Sequence, residues 1–488
     1  MVTSGHLPKG LALLRAKVAS SILRVLRIEG SSMIKITKFG GSSVSSAGQF
    51  KKVKAIVQAD SSRRFVVVSA AGKRDKFDSK ITDLLYLVNA HLQYHVTCDD
   101  LLGTIGQRFC EIAKELNLSY PISHEFGIFR ELAKRGEYTP EYIVSRGEYF
   151  TGRMMAEYLG FPFVDAADVI TFRADSSIDM DKTSEKLKAA IGEEKCFVLP
   201  GFYGATEDGK IKLLDRGGGD ITGAIVAQCL GADLYENWTD VSGFLTADPR
   251  IVDNPKSISR ITYAELRELS YMGASVLHEE AIFPVKDAGI PLVIKNTNAA
   301  DDPGTVISEE TEPGVAEPLI TGIAGKKDFV AIHVKTNHMS SKVGYIRKTL
   351  SIFERYRVSI EHIPTGIDSF AVVVQGSDVK DCLYSIVADI KSELEPDEIK
   401  IVDRLALIST VGRNMPSRPG TSGRLFGELG HAGINIRMIA QGSEELDIVV
   451  GVDVDDFERA IRVIYGAFVD SDDNIITVEE AEEEATNE

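Results

Sequence analysis

The segment Met33-Ile-Lys-Ile-Thr-Lys-Phe-Gly-Gly-Ser-Ser-Val44 alternates apolar residues and then stops at paired glycines. A strand that feeds a loop with bare backbone restricts the possible folds, because N–H groups at such a strand end can receive an anion. Lys38 arrives at the end of the strand, and Gly40, Gly41 and Ser42 form the loop. The helix expected through Phe50 and Val53 aims its positive end at the same point. No Gly-Lys-Ser/Thr follows, so this is not a Walker loop, and the G-x-G-x-x-G spacing of a dinucleotide fold is missing. Gly-Gly after a strand also serves as an ordinary turn, so the segment needs support from elsewhere.

Two later segments supply it. Leu213-Leu-Asp-Arg-Gly-Gly-Gly-Asp220-Ile-Thr is a second glycine loop, flanked by a cation and a carboxylate, and Thr222 onward reads as the helix it opens. Tyr235-Glu-Asn-Trp-Thr-Asp240 leads into a third polar loop that ends at Asp248-Pro-Arg250. Short β-rich runs such as Phe65-Val-Val-Val68, Cys196-Phe-Val-Leu199 and Pro291-Leu-Val-Ile294 alternate with helical patterns from Met33 to about Ser308. That alternation predicts βαβ units, and hence an α/β fold with a mostly parallel sheet and helices on both faces. Open sheets of this kind bind ligands outside the carboxyl ends of their strands, where the three loops would gather.

The 488 residues are too many for one ordinary core, and two or three domains are expected. A formal charge of −17 argues against nucleic acid and against an anionic membrane surface as partners. The cysteines (Cys98, Cys110, Cys196, Cys229, Cys382) are odd in number, scattered and without C-x-x-C pairing, which indicates buried thiols in a reducing compartment. His124-Glu125 and His278-Glu279 lack the second histidine of H-E-x-x-H, so no zinc site is expected.

Residues 1–32 differ from the rest. Leu11 to Leu26 is basic and helix-prone, its apolar positions interrupted by Arg15, Lys17 and Arg24. It is too short and too charged to span a membrane, and it lacks the apolar core and small-residue cleavage site of a secretory signal. Translation starting at Met33, a tail, and a transit peptide are the readings left. The expected location is cytoplasmic, or plastid if the segment is a transit peptide.

Beyond the acidic, proline-bearing linker 309–318 the chain repeats itself at an offset of 76 residues. Gly344 falls on Gly420, Val358 on Ile434, Ile360 on Ile436, Gly366 on Gly442 and Val372 on Ile448. Each copy reads strand, glycine-opened helix, strand, turn, strand, as in half of a βαββαβ unit. The expected divisions are 33–308, the linker, repeats at 319–395 and 396–475, and an acidic, solvated tail at 476–488.

Together with Ser145-Arg-Gly-Glu148, the three loops in this order resemble the aspartate kinases of the amino-acid kinase superfamily, from Met33 to about residue 475. The repeats resemble ACT domains, which sense amino acids. The resemblance implies a three-layer αβα kinase fold followed by two ferredoxin-like ACT domains, the first inserted within the second. The strand near Leu319–Ile323 would then belong to the later module.

It further implies transfer of phosphate from ATP, bound with Mg²⁺, to L-aspartate. Such transfer brings two anions together, so catalysis rests on positioning and charge neutralisation. Lys38 is expected to stabilise the transferring phosphoryl, with no buried partner in the empty protein. Arg216 would fork onto the α-carboxylate, Glu148 would accept the α-ammonium, and Asp220 would orient Lys38 or the metal. Ser69, Thr82 and Phe202 match positions around the substrate. Thr239 and Asp240 match positions at the adenosine moiety, and Arg250 one at the phosphates. Trp238 belongs either to this half of the site or to the core. No protein-built metal site is expected.

Leu245 stands where the family carries tyrosine, Ser275 where a lysine is common, and Gly219 where a serine is. In the first repeat, Met339, Gly344, Tyr345, Glu361, Asp368 and Ser369 resemble the lysine-binding ACT module. That likeness implies inhibition by L-lysine, with L-threonine as sole or joint effector the alternative, in a homodimer or homotetramer. The rivals are another acylphosphate kinase, such as a glutamate or acetylglutamate kinase, and a silent sensor on the same scaffold.

Overall fold

The computed structural model describes residues 33–192, 195–215, 217–274, 283–309, 317–470 and 475–476. The expectations for residues 1–32, for most of the linker and the tail, for Arg216 and for Ser275 lie outside the described residues.

In the amino-terminal region the strands are β1 (Lys35–Phe39), β2 (Arg63–Val68), β3 (Thr171–Phe172), β4 (Phe197–Pro200), β5 (Tyr203–Thr206), β6 (Ile211–Leu213), β7 (Leu234–Thr239), β8 (Arg260–Thr262), β9 (Leu292–Asn296) and β10 (Thr305–Ser308). Seven of them form one sheet in the order β4-β2-β1-β7-β9-β10-β8, parallel except between β9 and β10. β3, β5 and β6 make a small separate sheet.

Both faces of the main sheet are covered, which is why its strands read as apolar runs. On β2, Val67 packs with the helix Gly218–Leu230 on one face. Val66 and Val68 pack with the helices Ile81–Gln93, Asp99–Leu116 and Pro140–Leu159 on the other. Each such valine contributes about 1.5–3 kcal/mol by leaving water, so a charged residue at Val67 would break this layer. The helix Pro140–Leu159 has clear boundaries: the Thr139 hydroxyl accepts from Tyr142 N at 3.2 Å, Pro140 opens it, and Gly160 closes it in the left-handed region at φ 74°.

The helix expected through Phe50 and Val53 is present as Ala47–Gln58. A short turn separates it from the first glycine loop. Gly41–Val44 forms a single tight turn, and the helix Ala47–Gln58 starts at Ser46, whose hydroxyl caps Gln49 N. Ser43 and Val44 are buried, and the Ser43 hydroxyl is bonded to Thr297 Oγ1 at 2.7 Å, which commits these residues to packing.

The carboxyl-terminal region adds β11 (Glu317–Pro318), β12 (Gly322–Lys335), β13 (Ser369–Gln375), β14 (Glu398–Val411), β15 (Met438–Gln441), β16 (Asp447–Asp453) and β17 (Ile475–Ile476). β11 pairs with β17, and the rest form an antiparallel sheet in the order β13-β12-β14-β16-β15. The repeat is visible in its helices, Tyr345–Arg355 and Thr421–His431. Each is opened by a glycine in the left-handed region, Gly344 at φ 78° and Gly420 at φ 96°.

The two copies nevertheless share strands. Gly322–Lys326 of β12 pairs with Leu407–Val411 of β14, in the later repeat, whereas Phe329–Lys335 pairs with Glu398–Leu405. Asp328 and Arg404, at φ 73° and 55°, bend the two strands between these halves. Ile323 and Ile408 face one small core; Ile332 and Val334 face another.

The helix Tyr263–Tyr271 joins the two regions. Its buried Glu265 accepts from Thr262 N and Oγ1 in a capping box. The same carboxylate accepts from Thr321 Oγ1 at 2.5 Å and from Arg413 Nη1 at 2.5 Å. At the far end, Tyr271 reaches Glu361 of the first repeat. Among the described residues no helix is long and apolar enough to cross a membrane.

Candidate active site

A cleft of about 1220 Å³ opens at the carboxyl ends of β1, β2 and β7, and its lining includes Lys38, Ser69, Thr82, Glu148, Phe202 and Asp220. Parallel pairing of β1 with β7 sets Lys38 beside Asn237. Gly217, in the left-handed region at φ 79°, opens the helix Gly218–Leu230 and places Asp220 in its first turn. The Lys38 ammonium forms an ion pair with Asp220 Oδ1, which also accepts from Asn237 Nδ2 at 2.9 Å. Lys38 therefore has a partner in the empty protein, contrary to expectation, because Asp220 and Lys38 approach from adjacent elements in a largely buried setting. Asn237 was missed by the sequence argument. The available signal was a carboxamide in an otherwise apolar parallel strand, where it needs a partner.

The first glycine loop packs tightly against the chain after β2. Gly72 N donates to Gly41 O at 2.8 Å, and a Cβ on Gly72 would lie 2.5 Å from Gly41 C. Gly72 is a second position the sequence argument passed over. Gly40 N donates to Trp238 O at 2.9 Å and so is not free for a phosphate. Gly40, Gly41 and Ser42 all line the cleft. At Gly219 a side chain would meet Ser69 Oγ at 2.6 Å, which accounts for the glycine there.

Glu148 lies in the middle of its helix, 4% exposed, and its Oε2 has no hydrogen-bond partner. Burial pushes its carboxyl up to about 8, against the weaker opposing effects of the Ala70 backbone and the Arg146 guanidinium. Arg146 itself turns away and stacks over Tyr142 and Tyr149 at 4.2 and 4.3 Å. A buried carboxylate oxygen without a donor, facing a polar cleft, suits a cationic ligand group. Phe202 is held at φ 77°, a strained value for a bulky residue, with its N–H on Thr222 Oγ1 at 2.9 Å.

Thr239 and Asp240 also line the cleft. Arg250 does not: it is bonded to Asp248 at 2.6 Å and lines a separate cavity of about 680 Å³ with Leu245, Ala324 and Phe457. Trp238 is core, 1% exposed and stacked on Phe39 at 6.0 Å, because at this point of β7 its ring faces the apolar layer. Among the described residues no three of His, Cys, Asp and Glu converge as metal ligands.

The residues singled out in the first repeat divide into two groups. Met339 N donates to Asp368 Oδ1 at 3.3 Å, Ser369 pairs with Lys335 next to them, and the Tyr345 phenol reaches Leu394 O at 3.3 Å. Gly344 starts the adjoining helix. Glu361 is separate, paired through its backbone with Val373 further along β13 and facing the helix Tyr263–Tyr271.

The amino acid kinase family model matches residues 33–296 and an ACT domain model matches residues 408–468. Aspartokinase 3 of Bacillus subtilis is 34% identical over 449 residues, covering 89% of this chain and 98% of its own. The crystal structure of Clostridium acetobutylicum aspartate kinase is 47% identical with a TM-score of 0.84, covering 90% of this chain and 100% of that one. E. coli aspartokinase III in complex with aspartate and ADP is 25% identical with a TM-score of 0.68, covering 89% of this chain and 99% of that one. This chain belongs to the aspartate kinases, ATP-dependent phosphotransferases of the amino acid kinase family that carry ACT domains.

Proposed function

We propose that the chain transfers the γ-phosphoryl group of ATP to the β-carboxylate of L-aspartate. A carboxylate oxygen bonds to the γ-phosphorus, the bond from phosphorus to the bridging oxygen breaks, and ADP leaves with that electron pair. The product is 4-phospho-L-aspartate. No base is needed, since the acceptor carboxylate is ionised near neutral pH. The observation that carries the reading is Glu148: a buried carboxylate with an unpartnered oxygen, in the same cleft as the Lys38–Asp220 pair. Glu148 accepts the α-ammonium, and Arg216 forks onto the α-carboxylate. Ser69, Thr82 and Phe202 enclose the substrate. Lys38, released towards the phosphoryl as its charge develops, stabilises the transition state, with Asp220 and Asn237 aiming it. Gly41 and Ser42 face the phosphates, and Thr239 and Asp240 the nucleoside. Mg²⁺ enters bound to the phosphates of ATP, where it neutralises charge.

The product supplies lysine, threonine and methionine synthesis, and the five free cysteines fit the cytoplasm. The divisions are 33–308 for the kinase, 319–395 and 396–475 for the ACT modules, with Gly322–Lys326 counted with the second module and Glu398–Leu405 with the first because of their pairing. L-Lysine is the inhibitor, received at Met339, Gly344, Asp368 and Ser369, with its amino group on Asp368. Exposed Val343 and Ile367 beside that loop support pairing of two copies there. ADP release measured with L-aspartate, L-glutamate and N-acetyl-L-glutamate tests the reaction. Turnover with aspartate alone is expected, and turnover with another acceptor, or with none, rejects it.

A further inference from the structure

Between Gly72 and Lys80 the chain leaves the cleft and returns to it, and one buried side chain holds both ends. Arg108, 2% exposed on the helix Asp99–Leu116, donates from Nη2 to Gly72 O at 2.5 Å and from Nη1 to Ser79 O at 2.6 Å. Within the loop, Arg74 is neutralised by Asp78 at 2.9 Å, and Asp78 also lies 3.4 Å from Arg108. Two cations remain. Lys73 follows Gly72, whose backbone rests on Gly41 of the glycine loop, and Lys80 directly precedes the helix that carries Thr82. Both line the cleft and both are exposed. Neither has an ion-pair partner among the described residues, whereas Lys38, the other lysine lining the cleft, already faces Asp220.

The described charged lining is otherwise acidic, with Asp83, Asp215, Asp220 and Asp240. The chain as a whole carries −17. A dicarboxylate and a nucleoside triphosphate must enter against that field. We propose that Lys73 and Lys80 receive the β-carboxylate of the acceptor, drawing it into the cleft and holding it at the end opposite Glu148. The proposal rests on the reading of aspartate as the acceptor. Glu148 fixes the ammonium end, so the reacting carboxylate extends towards the glycine loop, where Gly72 and Gly41 meet. The fixed loop ends make the two lysines a preorganised pair and leave fewer degrees of freedom to lose on binding.

The test is steady-state kinetics of Lys73→Gln, Lys80→Gln and the double variant, with melting curves to confirm folding. For the double variant, KM for aspartate should rise at least tenfold while KM for ATP stays within twofold. The natural protein should show a steep fall of kcat/KM for aspartate with added salt, and in the double variant that fall should flatten. An unchanged KM for aspartate overturns the proposal. So does a rise in KM for ATP, or a fall in kcat alone, since either would put the lysines on the phosphates. If the natural protein shows no aspartate-dependent ADP release, the acceptor reading fails and the proposal fails with it. Activity in the natural protein with unaltered variants rejects only the role of the lysines.

Discussion

The Tyr271 phenol donates to the Glu361 carboxylate at 2.6 Å, a bond from the last residue of a kinase-region helix to the first repeat. Burial and the neighbouring carboxylate push that phenol up to about 12, so it stays a donor across the physiological range. An effector that shifts the first repeat against the kinase region has to break this bond. In Tyr271→Phe that cost is gone, and the lysine concentration for half inhibition should fall about fivefold, the equivalent of ~1 kcal/mol. Basal activity should stay within twofold. Inhibition curves for both proteins decide it, and an unchanged midpoint would separate this contact from regulation.

Glu148 predicts a pH dependence with a definite sign. Its carboxyl is raised from 4.5 to about 8, so between those values the folded protein holds a proton that the unfolded chain has lost. Stability contributed by this group is therefore intact below pH 4.5 and declines as pH rises towards 8. Glu148→Gln should melt higher than the natural protein at pH 8 and no differently at pH 4.5. The same substitution should raise KM for aspartate about 10–100-fold, as expected for loss of a hydrogen bond to a charged group.

Because an ammonium requires the ionised carboxylate, aspartate binding at pH 7 should release a proton from Glu148. Calorimetry in buffers of different ionisation enthalpy measures that release directly. Uptake of a proton, or none, would contradict the assignment.

Lys38→Ala should lower kcat by about 10²–10³-fold. It should also lower the melting temperature, since Asp220 is then left with Asn237 as its donor. Lys38→Met combined with Asp220→Asn should recover the melting temperature without recovering turnover. Equal melting of Lys38→Ala and the natural protein would show that the ion pair contributes nothing to stability.

Glu265 has no exposed surface and accepts from both Thr321 and Arg413. Glu265→Ala leaves Arg413 without this carboxylate and should cost about 3–5 kcal/mol. Differential scanning calorimetry should then resolve separate transitions for the two regions, where the natural protein should give one.

The α/β class, the loops at the strand ends and the 76-residue repeat could all be read from the sequence, because apolar period and glycine placement are local signals. Lys38, Asp220, Glu148, Ser69, Thr82 and Phe202 do converge in one cleft. What the sequence hid depended on tertiary contact. Asn237 matters only because β7 lies next to β1, and Gly72 only because it touches Gly41. The helix through Phe50 and Val53 is present, but the tight turn that buried Ser43 and Val44 hold before it was not legible. Arg250 stood near the nucleotide residues in sequence but turns to Asp248.

β12 and β14 each run unbroken through both repeats, bent at Asp328 and Arg404. The two small cores are therefore threaded on the same pair of ribbons, and neither can be excised by cutting the chain once. A fragment beginning at residue 396 would lack Gly322–Lys326 and expose the edge of β14 that these residues cover. Such a fragment would gain a new adhesive border and tend to recruit that strand from another molecule. Any displacement at one end of these ribbons must also pass through the bend to reach the other, which makes Asp328 and Arg404 a mechanical joint between the two halves.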